Sequence, residues 1–275
     1  MSIKITLIRS AFYAWSRIMP ATAGEWLVGK FFVPEVWKKP FDPPSGKRVD
    51  LADGGVLWQD TDRDRSALLL HGWSGHRSQL GDIEKLLRRL GFSVHLLDMP
   101  GHGASKHQRS NPVRFAQAIN EAINVTGRVD LVIAHSMGAV GLMYSTHAIR
   151  RELDKLAKQL IFISAPTGVE PALNLVTEQA AFGRKATSFF LEEVDAEVGV
   201  KRSDFDFLKR AEAANIPLLI IHDKDDRLIP ISHANDIASA WPGASVMQTD
   251  GFGHYRTLQA KVTLQAIEDL VVQVS

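Results

Sequence analysis

The chain has no cysteine, which removes disulfide bonds, thiolate metal sites and cysteine nucleophiles together. It also has almost no net charge: 32 Lys and Arg stand against 31 Asp and Glu, for a formal charge of +1. Nothing in that balance argues for nucleic acid or another strongly charged partner. No apolar run reaches the roughly 18 residues of a membrane-spanning helix. The first fifteen residues carry Lys4 and an apolar stretch, but Arg9 interrupts it and only Ala21-Thr22-Ala23 resembles a cleavage site. The N-terminus is therefore read as no signal peptide, and a cytoplasmic location is expected. Internal repeats and low-complexity segments are missing too.

What remains is an ordinary globular composition, 45% hydrophobic and 23% charged over 275 residues, enough for one large α/β domain. Residues 1–46 read as a helical extension and linker. Phe12, Trp15, Trp26, Leu27, Phe31, Phe32 and Trp37 crowd its first part, Pro20 and Pro34 divide two helices, and Pro40, Pro43, Pro44 and Gly46 close it. Packing against the body is favoured over a membrane anchor, because the polar face has few basic residues. From Lys47 onward short apolar runs alternate with helical stretches. A hairpin is expected around Asp53-Gly54-Gly55, then strands at 67–70, 93–97, 131–134, 160–164, 218–222 and 245–248. Helices are expected at 79–90, 112–126, 232–240 and 258–272. Strands without polar alternation imply a mostly parallel sheet with helices on both faces. The rhythm breaks at 165–214, read as an inserted helical cap between two halves of the core, 47–164 and 215–275.

The most informative stretch is Leu131-Val132-Ile133-Ala134-His135-Ser136-Met137-Gly138. An apolar run, a tight turn and a helix-compatible segment place a serine at the apex, where its hydroxyl stands clear of the sheet edge and the following N–H lies beside it. Acyl transfer uses both groups, one as nucleophile and one as oxyanion donor. Four further turns follow strands: His71-Gly72-Trp73-Ser74-Gly75-His76, the glycine-rich Asp98 to Ser105, His222 to Pro230 with its carboxylates, and Gly251-Phe252-Gly253-His254-Tyr255. Gly72 lets the backbone approach a ligand closely, so that the Trp73 N–H can face an oxyanion. The pairs His71/His76 and His102/His107 have no acidic partner at ligand spacing, so no metal is expected.

Taken together, these motifs resemble the α/β-hydrolase family from Ala67 to the C-terminus, in the family's order of Ser, Asp and His. The resemblance implies an eight-stranded, mostly parallel sheet with a cap after the sixth strand. It matches Ser136 to the nucleophile, although Ala134 replaces the usual first glycine, and His254 to the general base. It matches Asp226 to the orienting acid, because Asp226-Arg227-Leu228-Ile229-Pro230 stands where the family has Asp-x-x-Val-Pro. Asp223 stands where the family often has glycine, and Asp225 is read as solvated. The backbone N–H groups of Trp73 and Met137 match the oxyanion donors. His71, Gly72, His135, Phe182 and Phe189 are expected to contact substrate, within an apolar pocket that Leu173, Leu175, Val176 and Phe190 also shape. A serine hydrolase cleaving carboxylic esters of short to medium apolar acyl chains is the expected activity, with a small-molecule ester as partner and no cofactor. Thioesters, lactones and carbon–carbon bonds remain open as alternative substrates, as does a catalytically weak ligand-binding member of the fold.

Overall fold

The structure is a computed structural model that describes residues 3–35, 46–148 and 152–273. Trp37 and the linker prolines Pro40, Pro43 and Pro44 lie outside the described residues.

Two helices come first, α1 (Ile3–Ile18) and α2 (Pro20–Phe31), with Pro20 at the first turn of the second. There its missing N–H costs nothing and its fixed φ suits a helix. The rest of the chain builds one sheet from β1 (Lys47–Asp50), β2 (Val56–Gln59), β3 (Arg65–Leu70), β4 (Phe92–Asp98), β5 (Val129–His135), β6 (Ala157–Ile163), β7 (Leu218–Asp223) and β8 (Ala244–Thr249). Between β3 and β5 lie α3 (Gly81–Arg89) and α4 (Pro112–Thr126), and after β5 comes α5 (Met137–Ala148). The β6–β7 connection carries α6 (Glu170–Gln179), α7 (Arg184–Val198) and α8 (Leu208–Ala211). After β7 come α9 (Ser232–Ala240), the short α10 (Gly253–Arg256) following β8, and α11 (Lys261–Gln273).

The eight strands run in the order β1-β2-β4-β3-β5-β6-β7-β8. The β1–β2 hairpin is antiparallel and joins β4 antiparallel, while β4 through β8 are parallel. The sheet is thus mixed, with one antiparallel edge on a parallel body. The chain winds outward from β3 to β4, then crosses back to lay β5 on the other side of β3, with Leu70 opposite Ala134. At such a reversal the loops leaving the two strands diverge, and a crevice opens at their C-terminal ends.

Both faces are covered, which explains why the central strands lack polar alternation. Leu68, Leu70, Val132, Ala134, Leu160 and Phe162 point into one core, under α4, α5 and α9. Their neighbours Leu69, Ile133, Ile161 and Ile163 point into a second core, with Ile83, Leu86 and Leu87 of α3 and Ile267 of α11. Local signals set the ends of the covering helices. The Asn111 side chain accepts the Arg114 N–H at 2.9 Å to cap α4, and Gly127 ends that helix at φ 73°. Among the described residues, no helix is long and apolar enough to cross a membrane.

Candidate active site

Ser136 occupies the single residue between β5 and α5, at φ 51°. A non-glycine residue holds that conformation only where its surroundings over-determine it. Here the Ser136 N–H donates to the Ile163 carbonyl at 3.0 Å, and the Ser136 carbonyl accepts the Ala139 N–H at 3.0 Å. Two glycines let the neighbouring loop close on this turn. A Cβ at Gly138 would stand 2.7 Å from the His71 carbonyl oxygen, and one at Gly72 would stand 2.9 Å from the Ser136 Cβ. Both contacts are too short for a side chain, so Gly72 serves the packing of the turn.

The loop after β8 brings His254 to this serine. Its Nε2 lies 3.1 Å from Ser136 Oγ, and its Nδ1 lies 2.7 Å from Asp226 Oδ2. The other Asp226 oxygen accepts the N–H groups of Leu228 and Ile229, each at 2.9 Å. Burial alone would raise the Asp226 pKa, but the His254 hydrogen bond, its charge and those two N–H groups hold the carboxyl below its ordinary value. An ionised Asp226 keeps the proton on Nδ1 and leaves Nε2 free to accept one from the hydroxyl.

Two side chains hold His254 from behind. Asp223 is fully buried and accepts the N–H groups of Gly253 at 2.9 Å, Phe252 at 3.1 Å and Asp225 at 3.0 Å, and the Thr249 hydroxyl at 2.8 Å. It fastens the His254 loop to the end of β7. In the sequence Asp223 stands out only as a carboxylate in the family's glycine position, and no local signal there shows that it tethers the His254 loop. His135 is also buried, and its Nε2–H donates to the His254 carbonyl at 3.1 Å, with the two rings 4.8 Å apart. Burial and the nearby His254 push the His135 pKa down to about 3, so the ring is neutral.

The loop after β3 carries Trp73. Among the described residues no carbonyl accepts its backbone N–H. Met137 opens α5, so its N–H likewise has no carbonyl one turn back to bond. Two buried histidines fix this loop. His71 donates from Nδ1 to the Gly72 carbonyl at 2.8 Å and accepts the Met99 N–H at 3.1 Å. His102 donates from Nδ1 to the Pro100 carbonyl at 2.8 Å and accepts the Ser74 N–H at 3.0 Å. Burial lowers both pKa values, that of His102 to about 3, and each ring is satisfied as a neutral donor–acceptor. The Trp73 ring stacks between Phe31 and Phe115, 6.1 and 6.0 Å from their centres. Below it, Asp98 pairs with Arg77 at 2.6 Å and accepts the Trp58 indole N–H at 3.2 Å, anchoring the glycine-rich turn.

Ser136, Met137, Trp73 and His254 open onto a cavity of about 500 Å³, a size suited to a small molecule. Leu173, Leu175 and Val176 of α6 line it, as do Val194 and Val198 of α7 and Leu27, Lys30 and Phe31 of α2. Four of the expected substrate contacts are corrected. His71 and His135 are fully buried and spend their ring nitrogens on the backbone beside the cavity. Phe182 packs onto the apolar core instead. Phe189 is 39% exposed, because the inward face of α7 is that of Phe190, Val194 and Val198, and residue 189 lies about 100° around the helix from it.

The sequence model of the alpha/beta hydrolase family matches residues 67–266. A monoacylglycerol lipase of Mycolicibacterium smegmatis is 24% identical over 222 residues, 65% of this chain and 78% of the lipase. A pimeloyl-[acyl-carrier protein] methyl ester esterase of Stenotrophomonas maltophilia is 32% identical over 137 residues, 47% of this chain and 49% of that enzyme. Among solved structures, the Pyrococcus furiosus esterase Pf2001 superposes with a TM-score of 0.64 at 17% identity, over 87% of this chain and 98% of its own. An esterase of Exiguobacterium antarcticum gives 0.62 at 17%, over 82% and 99%. With the sheet order, the serine turn and a family match that runs from β3 into α11, the chain belongs to the α/β-hydrolase family.

Proposed function

We propose that this protein is a serine esterase that cleaves uncharged esters of short to medium apolar acyl chains. One observation carries the reading: Ser136 Oγ, His254 Nε2–Nδ1 and Asp226 Oδ2 form an unbroken line of hydrogen bonds, 3.1 and 2.7 Å long, and Ser136 and His254 open onto an apolar cavity.

In the reaction, His254 Nε2 takes the hydroxyl proton as Ser136 Oγ bonds to the acyl carbon. The oxyanion that forms accepts the N–H groups of Trp73 and Met137. The C–O bond of the leaving group then breaks, and the departing alkoxide takes the proton from His254. Water repeats the sequence on the acyl-enzyme and releases the acid, with Asp226 ionised throughout and stabilising the imidazolium. Esters are favoured over amides because an alkoxide leaves more readily than an amine. Ester-cleaving enzymes among the relatives, a lipase and a methyl ester esterase, support the same substrate class.

Hydrolysis of p-nitrophenyl esters from acetyl to lauroyl, by wild type and Ser136→Ala, tests the proposal. Activity that falls by about four to six orders of magnitude in the variant is expected. Full activity in the variant would remove Ser136 as the nucleophile. A wild type that is inert to every ester would end the esterase reading.

A further inference from the structure

The family match begins at residue 67, so α2 lies wholly outside it. The helix nevertheless forms one side of the catalytic cavity. We infer that α2 sets the length of acyl chain the enzyme accepts, with Leu27 as the measuring side chain. The inference rests on the esterase reading above.

Three observations carry it. First, α2 is fixed in place by backbone contact. A Cβ on Gly24 would stand 2.8 Å from the Phe190 nitrogen, so α2 and α7 touch main chain to main chain. The Arg109 guanidinium donates to the Gly29 carbonyl at 3.0 Å and pairs with Glu197 of α7, and the Ser110 N–H donates to the Phe32 carbonyl at 2.9 Å. A helix held at its middle and at its C-terminal end can keep a wall at a fixed position.

Second, the face it turns to the cavity is graded from depth to rim. Leu27 is 7% exposed, Phe31 is half-buried one turn later, and Lys30 and Val33 are exposed. Positions 27 and 31 share one side of a helix, so they present a continuous strip. Across from them α6 offers Leu173, which is buried, and Val176. The buried side chains that these two helices turn to the cavity, Leu27 and Leu173, carry no hydrogen-bonding group. The occupant of that depth is therefore an unsubstituted alkyl chain, and a polar or charged chain end would be left without a partner there.

Third, α2 reaches the reacting centre. The Phe31 ring stacks on Trp73, and the Glu35 N–H donates to Ser74 Oγ at 3.0 Å. The wall and the oxyanion loop are one packed unit, so chain length and distance from the acyl carbon are measured from the same frame.

The test is the ratio of kcat/KM for octanoyl and butyryl p-nitrophenyl esters, which does not depend on the fraction of active enzyme. Leu27→Ala opens the deep end, and about a tenfold rise in the ratio is expected. Leu27→Phe fills it, and a fall of similar size is expected. Glu25→Ala, exposed on the same helix, should leave the ratio unchanged. Where Leu27→Ala fails to fold, Leu27→Val makes the same test at smaller size. An unchanged ratio in folded Leu27 variants overturns the inference and leaves the esterase reading intact. If wild type cleaves no ester, the binding of octanoate and butyrate, read by tryptophan fluorescence, replaces the kinetic ratio. Shifts in that preference on changing Leu27 would then support the role of α2 while the esterase reading falls, and no shift would overturn it.

Discussion

The two sides of the cavity are built by different physics. The sheet side consists of turns after β3, β5, β7 and β8, and directional bonds fix every functional group on it. Ser136 is tied to Ile163, His254 to Asp226, Asp226 to Leu228 and Ile229, and the Trp73 loop to His71 and His102. The helical side consists of α2, α6 and α7; hydrogen bonds fasten α2 at its C-terminal end, but the side chains these helices turn to the cavity are held mainly by apolar packing. Hydrogen bonds set distances to a few tenths of an ångström, whereas packing sets volumes. Chemistry is therefore over-determined in this molecule, and shape is adjustable. Substitutions on the sheet side should change rate with little effect on chain-length preference, and substitutions on the helical side should do the reverse.

The sharpest break of that contrast is Asp226→Asn. Removing the charge reverses the hydrogen-bond demand on His254 Nδ1 and favours the wrong tautomer, so kcat should fall about ten-thousand-fold. The octanoyl-to-butyryl ratio should stay at its wild-type value. Gly72→Ala comes next. Its new Cβ meets the Ser136 Cβ at 2.9 Å, and backbone on both sides must yield. Misplacing the proposed nucleophile on that scale should cost on the order of a hundredfold in kcat. His135→Phe keeps an aromatic ring, though a larger one, and leaves the buried His254 carbonyl unbonded, at about 1–3 kcal/mol. A loss of about tenfold in kcat with an unchanged KM is expected, and His135→Gln, which can still donate, should recover most of it.

Much of the sheet side was legible in the sequence, because turns with special geometry need particular residues. Gly72, Gly138, the serine at the strand end and the Asp226-to-Pro230 run are each dictated by backbone conformation, and each is local. The strands were legible for a related reason: burial on both faces leaves continuous apolar runs. What stayed hidden was long-range. Asp223 bonds to residues 249–253, and nothing in its own neighbourhood announces that. The α2 wall was hidden because Leu27 and Phe31 look like any apolar helix face, and only the fold decides that the face meets a cavity as well as a core. Phe189 misled for the same reason, since a phenylalanine in an amphipathic helix does not show which way it turns, and Phe182 misled because α6 stops at Gln179 and leaves it in the loop before α7.

Acid should weaken the sheet side before the helical side. His135, His102 and His76 are neutral in the fold, with pKa values lowered by burial to about 3, 3 and 4. The unfolded chain binds a proton at each near pH 6.5, so below that value it gains protons the folded state refuses. The stability these groups contribute is whole above pH 6.5 and is lost as pH falls toward 4, by up to about 1.4 kcal/mol per pH unit for each. Asp226 and Asp223, held below the ordinary carboxylate value, add a second loss at still lower pH, as each is protonated. A melting temperature that falls steadily from pH 7 to pH 4 is expected. A flat profile would mean that these rings take up protons without leaving their hydrogen bonds.

The smallest effects separate wall from surface within the helical side itself. Val176 lines the cavity, whereas Phe189, a larger side chain, is 39% exposed on the outer flank of α7. By size alone Phe189→Ala should matter more. By position it should matter less for chain length, because alanine keeps the Cβ that lies against Gly24 and the ring it removes is off the cavity wall. An unaltered octanoyl-to-butyryl ratio is expected for Phe189→Ala, whatever the folded state loses in stability with the partly covered ring. Val176→Ala should move the ratio by a few-fold while leaving kcat for the butyryl ester unchanged. If the two variants traded places, the cavity would have to lie on the other flank of α7, and α2 would lose its place as the opposing wall.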